Sequence, residues 1–269
     1  NLLKNNTASY IMEDISEKSQ EAKILIAGPC VIEDYFISSL IAEYLIKKSE
    51  QFGFKLIFKG SYKKANRTSF KSFTGINEME ALNILSEINR KYQIPVMTDV
   101  HESSDVDMVS SYVTHLQIPA FLCRQTDLIR ACAESGRPTN IKKGQFLSPE
   151  ACSHIVEKYR AFGGSGEMIC ERGTSFGYNE LIVDATVVPR IKRAIDTKVI
   201  IDCTHSLQKP NRASGTTGGD PDLVSTLMNF AMSTGADGIF VEVHPVPSQS
   251  PSDSESILQL DRLGPFLEK

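Results

Sequence analysis

Eight short β-rich runs separated by segments of helical periodicity constrain this chain more than any other feature. The runs are Ile24 to Ile32, Lys55 to Ser61, Ile94 to Val100, His115 to Phe121, Thr139 to Lys143, Glu167 to Arg172, Lys198 to His205 and Asp237 to His244. Apolar residues recur at helical spacing over Tyr35 to Gln51, Asn77 to Lys91, Asp105 to Val113, Asp127 to Glu134, Pro149 to Phe162, Glu180 to Ile195, Pro221 to Ser233 and Glu255 to Glu268. Eight strand and helix pairs in 269 residues, with no linker or low-complexity break, predict an α/β fold: one TIM-type (β/α)8 barrel over 1–269, with 1–23 as an N-terminal extension. The alternative is a doubly wound open sheet. It would place a Gly-rich dinucleotide loop after the first run, and "GPCVIED" is not one.

A barrel of this kind collects its chemistry at the C-terminal ends of the strands, where inward residues alternate with apolar ones turned to the helices. In "LIFKGS", Leu56 and Phe58 facing out leave Lys59 and Ser61 facing in. The same alternation turns Gln117 inward in "HLQIPAF", selects Lys142 over Lys143 in "NIKKG", and places Cys170 with Arg172, Glu242 with His244, and Asp99 with His101 on the inner side. The run "VIIDCTHS" resists it: an inward His205 leaves Asp202 and Thr204 facing the helices, so a bulge or an early strand end is required.

Composition narrows the partners. A formal charge of -4 gives no general reason to expect nucleic acid or an anionic membrane. No apolar stretch approaches the ~20 residues of a membrane helix. Six cysteines without a CxxC pair indicate neither a disulfide framework nor a cysteine-only zinc site, and fit a reducing, cytoplasmic setting.

Two constellations carry chemistry. Lys59, Lys64, Lys142 and Arg172 come from three strand ends and one following loop, and the barrel would bring them to one mouth. Like charges in one cavity are costly unless an anion joins them, so a phosphate or carboxylate ligand is expected, although any single lysine could instead extend to solvent. The long loop "KKANRTSFKS" adds Arg67, Thr68 and Ser69, a planar fork and two hydroxyls suited to a phosphate monoester. The second constellation centres on Cys30, which as a lone thiol is a small apolar filler. The eighth strand lies beside the first, so His205, Glu242 and Asp253 can converge on it. One thiolate, one imidazole and two carboxylates suit Zn²⁺ or Fe²⁺ better than Mg²⁺.

The ordered series "AGPCVIE", "KKANRTS", "TDVHE", "QIPAFLCRQTDL", "NIKKGQF", "ERGTSFGYN", "DCTHSLQ" and "VEVHPVPSQSPSD" resembles the 3-deoxy-D-manno-octulosonate 8-phosphate synthases, from about Ile24 to the C-terminus. The resemblance implies a transferase that condenses phosphoenolpyruvate with D-arabinose 5-phosphate on the route to a lipopolysaccharide sugar. It assigns Lys59, Ser61, Lys64, Gln117, Lys142 and Arg172 to phosphoenolpyruvate, and Asn66, Arg67 and Thr68 to the pentose phosphate. Asp99 would touch sugar hydroxyls, and Arg124 would arrive across a subunit boundary of a homotetramer. His205, Lys64 and Lys142 would stand nearest the reacting atoms. In the family, Cys at the position of Cys30 marks the metal-dependent form and Asn the metal-independent one, which implies Cys30, His205, Glu242 and Asp253 as ligands of a Zn, Fe or Mn ion. The chain departs from the usual pattern at Lys63, at Glu180 and in "NRASGTTGGD". The 3-deoxyheptulosonate 7-phosphate synthases share the barrel and the phosphoenolpyruvate chemistry, and a barrel that binds sugar phosphates without turnover is the non-enzymatic alternative.

Overall fold

Backbone hydrogen bonds join the first and last strands of the predicted series, with Ile24 opposite Gly238 and Gly28 opposite Glu242, so the sheet closes on itself. The computed structural model describes residues 21–65, 73–210 and 218–268. Eight parallel strands form the barrel: β1 (Ile24–Gly28), β2 (Lys55–Lys59), β3 (Val96–Asp99), β4 (His115–Ile118), β5 (Thr139–Lys142), β6 (Met168–Glu171), β9 (Lys198–Asp202) and β10 (Gly238–His244), in that spatial order. An antiparallel hairpin, β7 (Thr174–Phe176) with β8 (Glu180–Ile182), follows β6, and the short β11 (Leu258–Gln259) pairs with β10. The helices are α1 (Tyr35–Phe52), α2 (Glu78–Tyr92), α3 (Val106–Ser110), α4 (Thr126–Glu134), α5 (Cys152–Ala161), α6 (Val187–Ala194), α7 (Val224–Ser233) and α8 (Leu260–Leu267). Among the described residues no helix is long and apolar enough to cross a membrane.

The period-2 alternation divides the apolar residues into two cores. Outward residues such as Leu25, Phe58, Leu116, Ile141, Ile169 and Ile201 pack under the helices, whereas Ile26, Ile57, Met97, Met168, Ile200 and Phe240 fill the barrel interior. Local chemistry sets the helix ends. Asp34 accepts a hydrogen bond from the Ile37 amide at 2.7 Å and starts α1, and Gly53, at φ 73°, ends it. Asn77 caps α2 by accepting from the amides of Met79 and Glu80.

Every barrel strand but β10 ends before its β-rich run does. Gly28 shows why for β1: a Cβ there would lie 2.0 Å from the Lys59 carbonyl oxygen, so only glycine allows this approach of β1 to β2. Pro29 then removes a backbone donor, and one further parallel bridge, Val31 to Ser61, extends the pairing.

The expected helix over Glu180 to Ile195 is corrected. Its first residues form the second strand of the hairpin, turned by Gly177 at φ 62°, and α6 starts only at Val187. Asp184 accepts from both the amide and the hydroxyl of Thr186, at 2.8 and 2.9 Å, an Asx turn that competes with helix and delays its start.

Candidate active site

A cavity of about 230 Å³ opens at the C-terminal mouth of the barrel. The strand ends supply Lys59, Asp99, Gln117, Lys142 and Glu242 to its walls, and the segments beyond them Ser61, Lys64, His101, Arg172, His205 and Asp253. A larger opening of about 860 Å³ lies at the other end of the barrel. Its cations are tied to neighbouring acids, Arg160 to Glu167 and Lys192 to Asp237, so the reactive groups are at the mouth.

The four predicted cations are present there, and each of three has an internal partner. Lys59 Nζ lies 3.1 Å from Glu242 Oε1 and 3.0 Å from Ser61 Oγ. Lys142 Nζ donates to Asp202 Oδ2 and sits over the Phe240 ring. Arg172 Nη2 donates to Gln208 Oε1 at 2.9 Å. Lys64 is half-buried. Burial opposes its charge, but the acidic groups around it, with Cys30, Glu242 and Asp99 foremost, outweigh burial and raise its pKa. Carboxylates therefore already offset part of the cationic charge, and repulsion alone no longer demands an anion. What favours one is spare donor capacity: Lys142 is bonded to Asp202 and Arg172 to Gln208, and neither bond uses up the three and five N–H donors of those groups.

Asp202 is where the run that resisted simple alternation is resolved. Val199 and Ile201 face out, Ile200 faces in, and the same alternation brings Asp202 inward as the last residue of β9. The strand ends there and His205 begins a 3-10 turn, which is the early end the sequence required. Asp202 Oδ1 accepts from the amides of Thr204 and His205, at 3.0 and 2.8 Å, and its Oδ2 takes His205 Nδ1 at 2.8 Å beside Lys142. Thr204 stays buried and its hydroxyl accepts from the Glu242 amide.

Three of the four expected metal ligands come together. Donor atoms of Cys30, Glu242 and Asp253 all lie within 4.8 Å of one another, and Cys30 Sγ is 3.3 Å from Asp253 Oδ2. His205 adjoins this group, with Nε2 3.7 Å from Glu242 Oε2. Two observations fit the residues to a cation. Glu242 Oε2 is buried without a hydrogen-bond partner among the described residues. His205 offers Nε2 because Asp202 holds its Nδ1, the usual outer-sphere arrangement of a ligating histidine. Asp253 reaches the group from a left-handed backbone, φ 50°, and Ser252 Oγ lies 2.8 Å from Cys30 Sγ. Burial, reinforced by Glu242, raises the Cys30 thiol well above its ordinary pKa.

On the β3 side, His101 Nε2 lies 2.9 Å from Asp99 Oδ2, while Asp99 Oδ1 and His101 Nδ1 are buried without partners among the described residues. Asn140 Nδ2 donates to Gln117 Oε1 at 3.0 Å and orients that amide. Burial works against the charge of Asp99, Asp202 and Glu242, but neighbouring cations and histidines outweigh it, and all three carboxyls are held well below their usual range. A folded-state pKa below the unfolded value stabilises the fold above about pH 4 and is lost as pH falls. Thermal melts in an acid series should therefore show stability declining below that point, with a shallower decline for Asp99→Asn.

Lys143 points away from the cavity, as the alternation predicts, and contacts Glu171. Arg124 is exposed on the loop after β4 and does not line the cavity of a single chain. Asn66, Arg67 and Thr68 lie outside the described residues. Sequence reasoning missed Asp202, Asn140, Gln145 and Gln208. Asn140 shares the inward parity of Lys142 and was legible; Gln145 and Gln208 stand on loops, which carry no periodic signal.

Residues 6–269 match the family described as the DAHP synthetase I family. The chain is 41% identical over 261 residues to the 2-dehydro-3-deoxyphosphooctonate aldolase of Desulfosudis oleivorans, covering 97% of this chain and 94% of that one. It is 44% identical over 250 residues to the protein of the same name from Burkholderia cenocepacia, covering 91% and 88%. The Methylobacillus flagellatus counterpart is 44% identical over 246 residues, with the same coverage of 91% and 88%.

Proposed function

The chain belongs to the DAHP synthetase I family, and we propose that within it the chain joins phosphoenolpyruvate to D-arabinose 5-phosphate, releasing 3-deoxy-D-manno-octulosonate 8-phosphate and inorganic phosphate. The observation that carries this is the convergence of Lys59, Lys142 and Arg172 from three strand ends on one cavity, beside a Cys30, Glu242 and Asp253 cluster. The names of the relatives point the same way.

In this reading C3 of phosphoenolpyruvate attacks the aldehyde carbon of the pentose, water adds at C2, and phosphate leaves by C–O cleavage. Lys142 and Arg172 hold the phosphate and carboxylate through their spare N–H donors, and Lys59 and Lys64 offset the charge that develops as the double bond reacts. Gln117, oriented by Asn140, adds a polar contact for phosphoenolpyruvate, and the Asp99 and His101 pair offers polar groups to the second substrate. Asn66, Arg67 and Thr68, with Arg124 from a neighbouring copy in a homotetramer, complete its phosphate site. Cys30, His205, Glu242 and Asp253 would hold a divalent Zn, Fe or Mn ion, which supplies Lewis-acid polarisation of an oxygen or a lowered pKa for bound water.

Phosphate release with phosphoenolpyruvate and each aldose phosphate tests the reading. Turnover with arabinose 5-phosphate is expected. Turnover with erythrose 4-phosphate alone would reassign the chain to the heptulosonate reaction, and phosphoenolpyruvate binding without turnover on either would leave a binding barrel.

A further inference from the structure

We propose that the buried Lys143–Glu171 ion pair, outside the cavity, is a positioning device that sets Lys142 and Arg172 against the anionic substrate; this rests on the phosphoenolpyruvate reading above. The two side chains are 0% and 1% exposed, and Nζ lies 3.4 Å from Glu171 Oε2. They share the outward parity of Ile141 and Ile169, whose apolar side chains pack under the helices. An ion pair there is costly to desolvate, and apolar residues of similar volume would stabilise a fold at least as well. Its presence in that apolar layer is therefore not accounted for by stability, and another role accounts for it.

The surrounding hydrogen bonds supply that role. Lys143 follows Lys142 directly, and Glu171 precedes Arg172, so each buried charge is one peptide from a cavity cation. The Lys143 amide donates to Cys170 O at 2.8 Å and carries the β5–β6 ladder one residue past the end of β5. Its Nζ also reaches Leu147 O at 3.1 Å, Thr174 Oγ1 at 3.2 Å and Gly144 O at 3.3 Å. Glu171 Oε1 accepts from the Gly173 amide at 2.5 Å, which fixes the backbone on both sides of Arg172. The same contacts tie down residues 144–147, which carry Gln145 to the cavity wall, and Ser175 N adds a second tie to Gln145 O at 3.1 Å. The pair therefore clamps the chain as it leaves β5 and β6, behind the two groups that must match a rigid ligand with two anionic groups. Being buried, it acts only through them.

Lys143→Met and Glu171→Gln test this, with the milder Thr174→Val as a third variant. Glu167→Gln, which breaks a pair at the far end of the barrel, is the control. Steady-state constants for both substrates, calorimetric titration with phosphoenolpyruvate and Tm are measured. Lys143→Met and Glu171→Gln should raise KM for phosphoenolpyruvate about tenfold, with KM for arabinose 5-phosphate moving by about twofold or less. Thr174→Val should move the first constant about threefold in the same direction, and Glu167→Gln should lower Tm alone. A fall in Tm with both constants unchanged, or an equal rise in both, overturns the positioning role. Should the first two variants not fold, an unchanged phosphoenolpyruvate KM in Thr174→Val overturns it. A wild-type protein that neither binds phosphoenolpyruvate nor releases phosphate counts against the functional reading instead.

Discussion

Asp202→Asn is expected to lower kcat/KM on the order of 100-fold while leaving the barrel folded. The carboxylate is fully buried and serves four donors: two backbone amides on Oδ1, and His205 Nδ1 and the Lys142 ammonium on Oδ2. Asparagine matches its shape, and its single oxygen can keep the backbone bonds that end β9. The amide nitrogen then faces Lys142 and His205, where two donors meet a third. Lys142 loses its counter-ion inside the barrel, and His205 is no longer held in the form that leaves Nε2 open. Phosphate-release kinetics, with Tm as the folding control, would show the loss. A drop of less than about tenfold would mean that neither cation nor imidazole depends on this carboxylate.

That residue also marks how far the sequence was legible. Alternation with period two chose Lys142 over Lys143 and placed Lys59, Asp99, Gln117 and Glu242 inward, because barrel strands leave a side chain only two faces. The same rule, applied from Ile200, would have turned Asp202 inward. One register cannot run on from Asp202 to His205, because the strand ends between them, where hydrogen bonds to Asp202 itself turn the chain. The second strand of the hairpin, Glu180–Ile182, reads as the start of a helix because Leu181 and Ile182 have no tertiary signature in one dimension. Gln145 and Gln208 reach the cavity through loop geometry, which periodicity does not encode. The cation cluster was right in membership and incomplete in its physics: Glu242 and Asp202 already accompany Lys59 and Lys142.

Replacing Cys30 separates two roles for the group it belongs to. Cys30→Ala removes the only sulfur donor from a cluster whose remaining described members are carboxylates, with His205 beside them. Tight binding of a borderline ion such as Zn²⁺ should be lost in a chelator-competition titration, and turnover should fall by about 100-fold or more. The fold should survive, because the truncation leaves a small cavity costing on the order of 1 kcal/mol. Cys30→Asn should lose the ion equally but keep more activity than alanine, and that activity should ignore chelation. Its amide can donate to Glu242 and Asp253 and hold the two carboxylates apart, a task an ion would otherwise perform. Equal inactivity of both variants would assign the ion a chemical part beyond placement. Undiminished Zn²⁺ affinity in either would remove Cys30 from the ligand set and return it to the apolar filler that a lone thiol ordinarily is.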